Sequence, residues 1–239
     1  MIDRVSAGLG VPHYRKAVNT RFFDTWSPPM AYVLGYFAAD GSMYVNSHGA
    51  TYVSFTSTDR ILLEHVRELL HAEHRITRRR RREPHWKAVY RLQIGGSELF
   101  DSLTSVGFTP NKDERLRLPA IPTEHIGAFT RGVFDGDGCI SYGWYSQRDR
   151  QCRSLYVQAC FASGTLSFLR DLDRAICERT GMAPGYLRQR DIGAYLYYQR
   201  RSDLRTLYDF MYPETMTDKE HLPRKRLRFR EALQLLVKS

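Results

Sequence analysis

Two stretches of this chain carry the same unusual pattern. Met30 to Gly41 reads MAYVLGYFAADG, and Ile126 to Gly138 reads IGAFTRGVFDGDG. In each, small residues recur four apart, Gly35 with Ala39 and Gly132 with Gly136. Residues so spaced share one helix face, and small ones let two helix backbones approach closely. Each stretch ends on an Asp followed by Gly, Asp40-Gly41 and Asp137-Gly138, and a Gly just past the last turn is a common helix stop. If the two helices pack through their small faces, both carboxylates emerge together at one end of the seam. Paired carboxylates can hold divalent cations, and such cations can activate water and stabilise a leaving oxyanion in phosphodiester hydrolysis. A single Asp-Gly after a helix is usually only a turn; two in equivalent places carry more weight.

The residues after each stretch also repeat. Ser42 to Asn46 and Thr51 to Ser57 alternate as strands, as do Cys139 to Tyr145 and Leu155 to Phe161. Helical patterns come next: Thr58 to Leu70, with Ile61, Leu62, His65, Val66 and Leu69 on one face, and Thr165 to Cys177, with Leu166, Leu169, Leu172, Asp173 and Ile176. Two further strand-like runs occur in each half, Arg75 to Arg81 with Ala88 to Ile94, and Gly185 to Arg190 with Ala194 to Gln199. Short helices at Ser97 to Val106 and Ser202 to Met211 close the halves, and a last helix near Arg224 to Val237 has no counterpart. The fold class expected is α+β, with two pseudo-symmetric αββαββα halves. The strand-to-strand gaps are too short for parallel crossovers, so each half should hold a four-stranded antiparallel sheet. The expected organisation is an N-terminal arm at 1–24, a first half at 25–118, a joint at 119–122 and a second half at 123–239 that includes the C-terminal helix.

Charge points to the class of partner. Lys plus Arg outnumber Asp plus Glu by 36 to 26, a formal charge of +10 over 239 residues, and a basic surface attracts polyanions. No apolar run approaches the roughly 20 residues of a membrane span, and the N-terminus does not read as a secretory signal; an intracellular protein without a membrane partner is expected. The four cysteines show no C-x-x-C pair and no zinc-like spacing, and read as free thiols. No nucleotide-type phosphate loop occurs, so no nucleotide cofactor is expected. His125, just before the second motif helix, reads as a surface residue.

The motifs VLGYFAADG (33–41) and TRGVFDGDG (130–138) resemble the two signature motifs of the LAGLIDADG homing endonucleases. The likeness extends to Phe23-Asp24 with Trp26-Ser27-Pro28, to FTSTD at 55–59, YRLQI at 90–94, GFTPNK at 107–112 and LPRKR at 222–226 with Phe229, and spans roughly Phe22 to Leu236. Two motifs in one chain resemble the monomeric type, so a monomer is expected. The resemblance implies that Asp40 and Asp137 bind a divalent metal at the junction of the halves, ordinarily Mg2+, with Mn2+ or Ca2+ able to substitute. It implies a saddle of strands lying along double-stranded DNA, with both DNA strands cut across the minor groove to leave 3′ overhangs. It implies a basic residue from each half near the centre, by motif Lys112 and Lys225, with Lys219 a rival for the second. The sixth motif position is Ala38 in one copy and Asp135 in the other, where an Asp is usually structural, and polar Thr130 and Arg131 open the second motif. A non-cleaving nucleic-acid-binding protein on the same scaffold, such as an intron RNA-splicing maturase or a DNA-binding regulator, is the alternative; an intein-embedded nuclease is disfavoured, since no splicing segments are evident.

Strand alternation gives candidate DNA contacts. In the first half they are Ser42, Tyr44, Asn46, His48, Tyr52, Ser54, Arg79, Arg91 and Gln93. In the second they are Ser141, Tyr145, Tyr156, Gln158, Arg188 and Arg190. Arg and Gln can make paired hydrogen bonds to guanine and adenine edges. The arginine run Arg78 to Arg82, which contains Arg79, Arg80 and Arg81, is assigned to backbone phosphates at a strand tip, an interaction that weakens steeply with salt.

Overall fold

The computed structural model describes residues 16–79, 87–110, 115–146 and 153–238. The first half runs α1 (Pro28–Asp40), β1 (Gly41–Val45), β2 (Thr51–Ser57), α2 (Arg60–Leu69), β3 (Ile76–Arg79), β4 (Val89–Gly95) and α3 (Ser97–Ser105). The second repeats the order with α4 (Ile126–Asp137), β5 (Gly138–Ser146), β6 (Arg153–Ser163), α5 (Leu166–Thr180), β7 (Tyr186–Arg190), β8 (Gly193–Tyr198) and α6 (Arg201–Met211), then adds α7 (Pro223–Lys238). Each half holds a four-stranded sheet, in the orders β1-β2-β4-β3 and β5-β6-β8-β7, and every pairing is antiparallel. The architecture is the α+β repeat expected from the sequence.

The sheets alternate cleanly. Val53 and Phe55 of β2 and Leu92 and Ile94 of β4 turn inward, as do Val157, Ala159 and Phe161 of β6 and Leu196 and Tyr198 of β8. Helices cover these faces. On α2 the buried stripe is Leu62, Leu63 and Val66, while Ile61 is 44% exposed. That is one step round the helix from the stripe the sequence suggested, with Leu63 in the core in place of Ile61. On α5 the buried residues are Phe168, Leu169, Leu172, Asp173 and Ile176. Asp173 is tolerated in the core because Oδ1 accepts from the Tyr198 hydroxyl at 2.6 Å and from the Gly185 amide at 3.0 Å.

The molecule is built around α1 against α4. Nine consecutive residues of α1, Met30 to Ala38, are buried, and so are ten of α4, Ile126 to Asp135; α1 is apolar all round, as a helix inside a core is, whereas α4 also buries Thr130, Arg131 and Asp135. The glycine notches set the approach. A Cβ on Gly35 would stand 2.0 Å from the Phe129 carbonyl oxygen, and one on Gly132 would stand 2.1 Å from that of Tyr32. These two contacts are mates, since Tyr32 and Phe129 hold the same place in the two motifs. The helices therefore lie side by side with their C-terminal ends together, related by an internal near-dyad. Ser27 begins α1, its Oγ accepting from the Met30 amide at 3.3 Å, with Pro28 in the first turn, where a missing N–H costs nothing.

Gly41 and Gly138 end the helices for a reason other than the left-handed turn usual at such sites. Both are extended, with φ −82° and −89°, and each chain passes from helix straight into strand. A side chain on Gly41 would strike the ring and carbonyl of Phe37, and one on Gly138 would strike Phe134. Each glycine thus allows the strand to leave the helix end without a gap, and keeps the preceding Asp at the junction. No helix among the described residues is long and apolar enough to cross a membrane.

Candidate functional site

Asp40 and Asp137 are the last residues of α1 and α4. Close packing persists to the end of the seam. A Cβ on Gly136 would lie 2.4 Å from that of Ala39 and 3.4 Å from Asp40 Oδ2, so the Asp40 carboxylate sits against the last turn of α4, next to Asp137. The buried Tyr36 hydroxyl and the Lys225 ammonium each feel both carboxylates. Asp40 is half-buried and Asp137 exposed. Carboxylates at helix C-termini oppose the negative end of each macrodipole, so this junction concentrates negative potential on an otherwise cationic protein. Two hard oxygen donors, with no cluster of three or more His, Cys, Asp or Glu among the described residues, make an open donor set. That set suits Mg2+, which keeps several waters and takes substrate phosphate oxygens beside one or two carboxylates.

Lys225 differs from expectation. It does reach this junction, but its ammonium is buried and donates to the carbonyl oxygens of Phe134, Asp135, Gly136 and Gly138 at 2.7–2.8 Å. It is a cationic cap where α4 passes into β5, neutralising carbonyls gathered at the helix end, rather than a basic group standing free at the centre. Burial lowers its pKa from the ordinary lysine value. Its rival Lys219 points elsewhere, pairing with Glu68 at 2.7 Å. Lys112 lies outside the described residues, with Arg80 and Arg81.

Around Lys225 runs a buried polar network on the second motif alone. Arg131, 1% exposed, donates to the Glu220 carbonyl at 2.6 Å and carboxylate at 3.0 Å, and to the Met211 carbonyl. Asp135 Oδ2 accepts from the Tyr32 hydroxyl at 3.0 Å and the Leu222 amide at 2.7 Å. Burial raises the Asp135 pKa to about 6, while Lys225 and these hydrogen bonds pull the other way. Asp135 and Arg131 thus fasten the segment between α6 and α7 to α4, and Tyr32 ties α1 into the same network. Pairs of Arg224 with Asp59, 2.8 Å from Nε, and of Lys219 with Glu68 add bridges between the halves at the surface.

The strand candidates divide. Ser42, Tyr44, Tyr52, Arg79, Arg91 and Gln93 share the outer face of the first sheet, on the register Ser42↔Ser54↔Gln93 and Tyr44↔Tyr52, and the Tyr44 and Tyr52 rings stack at 5.2 Å. Ser54 has the right parity but is only 2% exposed, since a small side chain on a central strand is overshadowed by its neighbours. Asn46 and His48 are not strand residues, because β1 ends at Val45. Asn46 Oδ1 instead accepts from the amides of His48 and Ala50 at 3.0 and 2.9 Å, closing the hairpin turn in the manner typical of Asn. The Arg91 Nε and Gln93 Oε1 atoms are buried with no hydrogen-bond partner among the described residues.

In the second sheet Ser141, Tyr145, Tyr156, Gln158, Arg188 and Arg190 face outward on the register Ser141↔Gln158, with Arg188↔Tyr195 on the far strands. Gln158 is already engaged, its Oε1 accepting from Gln199 at 2.9 Å. Reading only polar residues missed an aromatic run on this face. Tyr186 stacks on Tyr197 at 6.3 Å, Tyr197 on Tyr195 at 6.1 Å, and the Arg190 guanidinium lies 5.6 Å over the Tyr195 ring. The signal was the alternation AYLYY at 194–198, in which Tyr195 and Tyr197 oppose the buried Leu196.

Comparison with known proteins agrees with this geometry. Residues 27–105 match the family described as LAGLIDADG-like domain. No curated protein matches the chain. Among solved structures, the LAGLIDADG meganuclease I-AabMI bound to uncleaved DNA is 14% identical over 89% of this chain and 92% of its own, with a TM-score of 0.61. The LAGLIDADG homing endonuclease I-SmaMI bound to cleaved DNA is 14% identical over 90% and 91%, with a TM-score of 0.62. I-LtrWI bound to target DNA is 12% identical over 92% of each chain, with a TM-score of 0.59. The chain is thus LAGLIDADG-like in sequence across its first half and has, over nearly its whole length, the homing endonuclease fold of the LAGLIDADG meganucleases.

Proposed function

We propose that this protein is a site-specific, metal-dependent endonuclease that hydrolyses both strands of a long DNA site across the minor groove, leaving 3′ overhangs. The observation that carries the reading is that Asp40 and Asp137 end the two glycine-notched helices at one end of the seam, where Tyr36 and Lys225 each feel both carboxylates. In this reading the two carboxylates hold Mg2+, with Mn2+ or Ca2+ able to take its place, and the bound ion supplies a more acidic water and charge stabilisation for the departing oxygen. The protein's own part is positioning. The seam fixes the spacing of the carboxylates, Lys225 and the Arg131–Glu220 pair hold the end of α4 in place, and the outer sheet faces orient the duplex. The +10 charge supplies the attraction to DNA, and Arg91 and Gln93 stand on the outer face of the first sheet, with side chains of the kinds that pair with base edges. The structural relatives named above were solved on DNA, which supports a DNA partner.

The test begins with cleaved sites selected from a randomised DNA library, followed by linearisation of a plasmid carrying the selected site with and without Mg2+. Asp40→Ala and Asp137→Ala should each lower double-strand cutting on the order of a thousandfold, the loss of several kcal/mol of charge stabilisation, with the circular dichroism spectrum unchanged. Either variant cutting both strands at the normal rate would falsify the two-carboxylate reading. Tight binding without cutting in Mg2+ or Mn2+ would favour the non-cleaving alternative.

A further inference from the structure

On the outer face of the second sheet, directly beyond the Asp137-Gly138 junction, two cysteines oppose each other. Cys139 of β5 and Cys160 of β6 are register partners, and the alternation of both strands sends their side chains to the same face. The Cys160 thiol donates to the Phe161 carbonyl at 3.7 Å. Cys139 is exposed, whereas Cys160 is 6% exposed beneath its other register neighbour, Tyr197 of β8. The corresponding places in the first half hold Ser42 and Ser54, so the sulfur pair belongs to the second half alone.

We propose that Cys139 and Cys160 form a redox-active dithiol that hydrogen peroxide converts to an intramolecular cross-strand disulfide. Directly opposed residues of an antiparallel pair have Cα atoms about 4.5–5.5 Å apart, within the roughly 4.4–6.8 Å that a disulfide spans. Exposure makes Cys139 the sulfur that peroxide meets first. Its sulfur attacks one peroxide oxygen and breaks the O–O bond, leaving a sulfenic acid on Cys139, and the thiol proton departs with the other oxygen as water. The Cys160 sulfur then attacks the sulfenic sulfur and expels its oxygen, which takes the Cys160 proton and leaves as a second water. One peroxide is reduced to two waters while two thiols become one disulfide. A thiol reductant reverses the step by exchange. Cys160 stands directly opposite on the neighbouring strand and is shielded from solvent, which suits it to resolve the sulfenic acid rather than to form one.

The test is peptide mapping by mass spectrometry after the full-length protein is treated with one equivalent of hydrogen peroxide. The expected product is a non-reduced peptide pair joining Cys139 to Cys160, lighter by two hydrogens and separated by dithiothreitol. With Cys160→Ser, Cys139 should stop at a sulfenic acid captured by dimedone. Two free thiols after treatment, a sulfinic acid on Cys139 in the unmodified sequence, or linkage of either residue to Cys152, to Cys177 or to a second molecule would overturn the proposal. A consequence for cutting rests on the proposed function: the disulfide closes two residues from Asp137, and the oxidised protein should cut selected DNA several-fold more slowly than the reduced one. The arms separate cleanly. A mapped disulfide in a protein that never cuts DNA sinks the nuclease reading alone, and active protein without the disulfide sinks the dithiol alone.

Discussion

The two motif helices share their glycine notches along the seam and differ most on the flank that carries Leu34 and Ala38 in one and Arg131 and Asp135 in the other. Along the seam α1 and α4 are near copies, with Gly35 against Phe129 mirrored by Gly132 against Tyr32, because backbone-to-backbone contact leaves no choice of side chain. Away from the seam, α1 presents Leu34 and Ala38 where α4 presents Arg131 and Asp135, all buried. The polar pair is present only where a further element must be held: the segment from Met211 to Leu222, leading into α7. Symmetry is thus imposed by sterics at the dyad, and relaxed where the second half gained a C-terminal helix that the first lacks.

The largest break in this comparison should come from the seam itself. Gly35→Val and Gly132→Val each drive side-chain atoms into a backbone carbonyl, an obstacle that cannot rotate away. Both should cost more than about 3 kcal/mol, beyond the usual range for overpacking, and by the dyad they should cost nearly the same. Urea unfolding of the two variants checks this, and a tolerant member would show the helices to be further apart than described. Next in size is the asymmetric position. Arg131→Met leaves the Glu220 carboxylate, 4% exposed, without its partner and should cost about 3–5 kcal/mol, whereas Leu34→Met at the equivalent place should cost less than about 1.5 kcal/mol. Equal losses would mean that Arg131 is held by packing and not by charge.

Tyr32→Phe sharpens the comparison further, since Phe129 already occupies the equivalent position. It removes one of the two donors to Asp135 Oδ2 and should lower stability by about 1–3 kcal/mol, read by the same unfolding curves. The smallest effect belongs to the surface bridge. Hydrogen bonding to Arg224 lowers the Asp59 pKa below the ordinary carboxylate value. The folded state therefore binds the proton less readily than the unfolded one, so the bridge stabilises above the ordinary carboxylate pKa and its contribution is lost as pH falls through the lowered value. For so exposed a pair the whole amount is within about 1 kcal/mol, and Asp59→Asn should remove that increment of acid sensitivity in pH-dependent unfolding curves.

Much of the fold and of the site was legible in the residues alone. The four-stranded antiparallel sheet of each half followed from alternation and short gaps, and the helix seam from residues spaced four apart. The misplaced residues share a cause: local pattern specifies which face a side chain takes but not what else arrives there. Alternation alone extends the first strand to Asn46, since it cannot see that the carboxamide closes the turn. Ser54 has the predicted parity yet is covered by longer neighbours on adjacent strands. Lys225 lies in a helix-opening motif, and nothing near it in sequence reveals four carbonyls at the α4–β5 junction some ninety residues earlier.

The repeat, the notched helices, the acidic residue at the end of each and the cationic character of the whole can be read from the residues, because periodicity, residue volume and charge are local or additive. Tertiary structure alone decided that Lys225 caps α4, that Arg131 and Asp135 anchor the segment before α7, and that Cys139 meets Cys160. Those outcomes depend on which distant groups share a small, dry space, where a buried charge must find partners or not be buried at all.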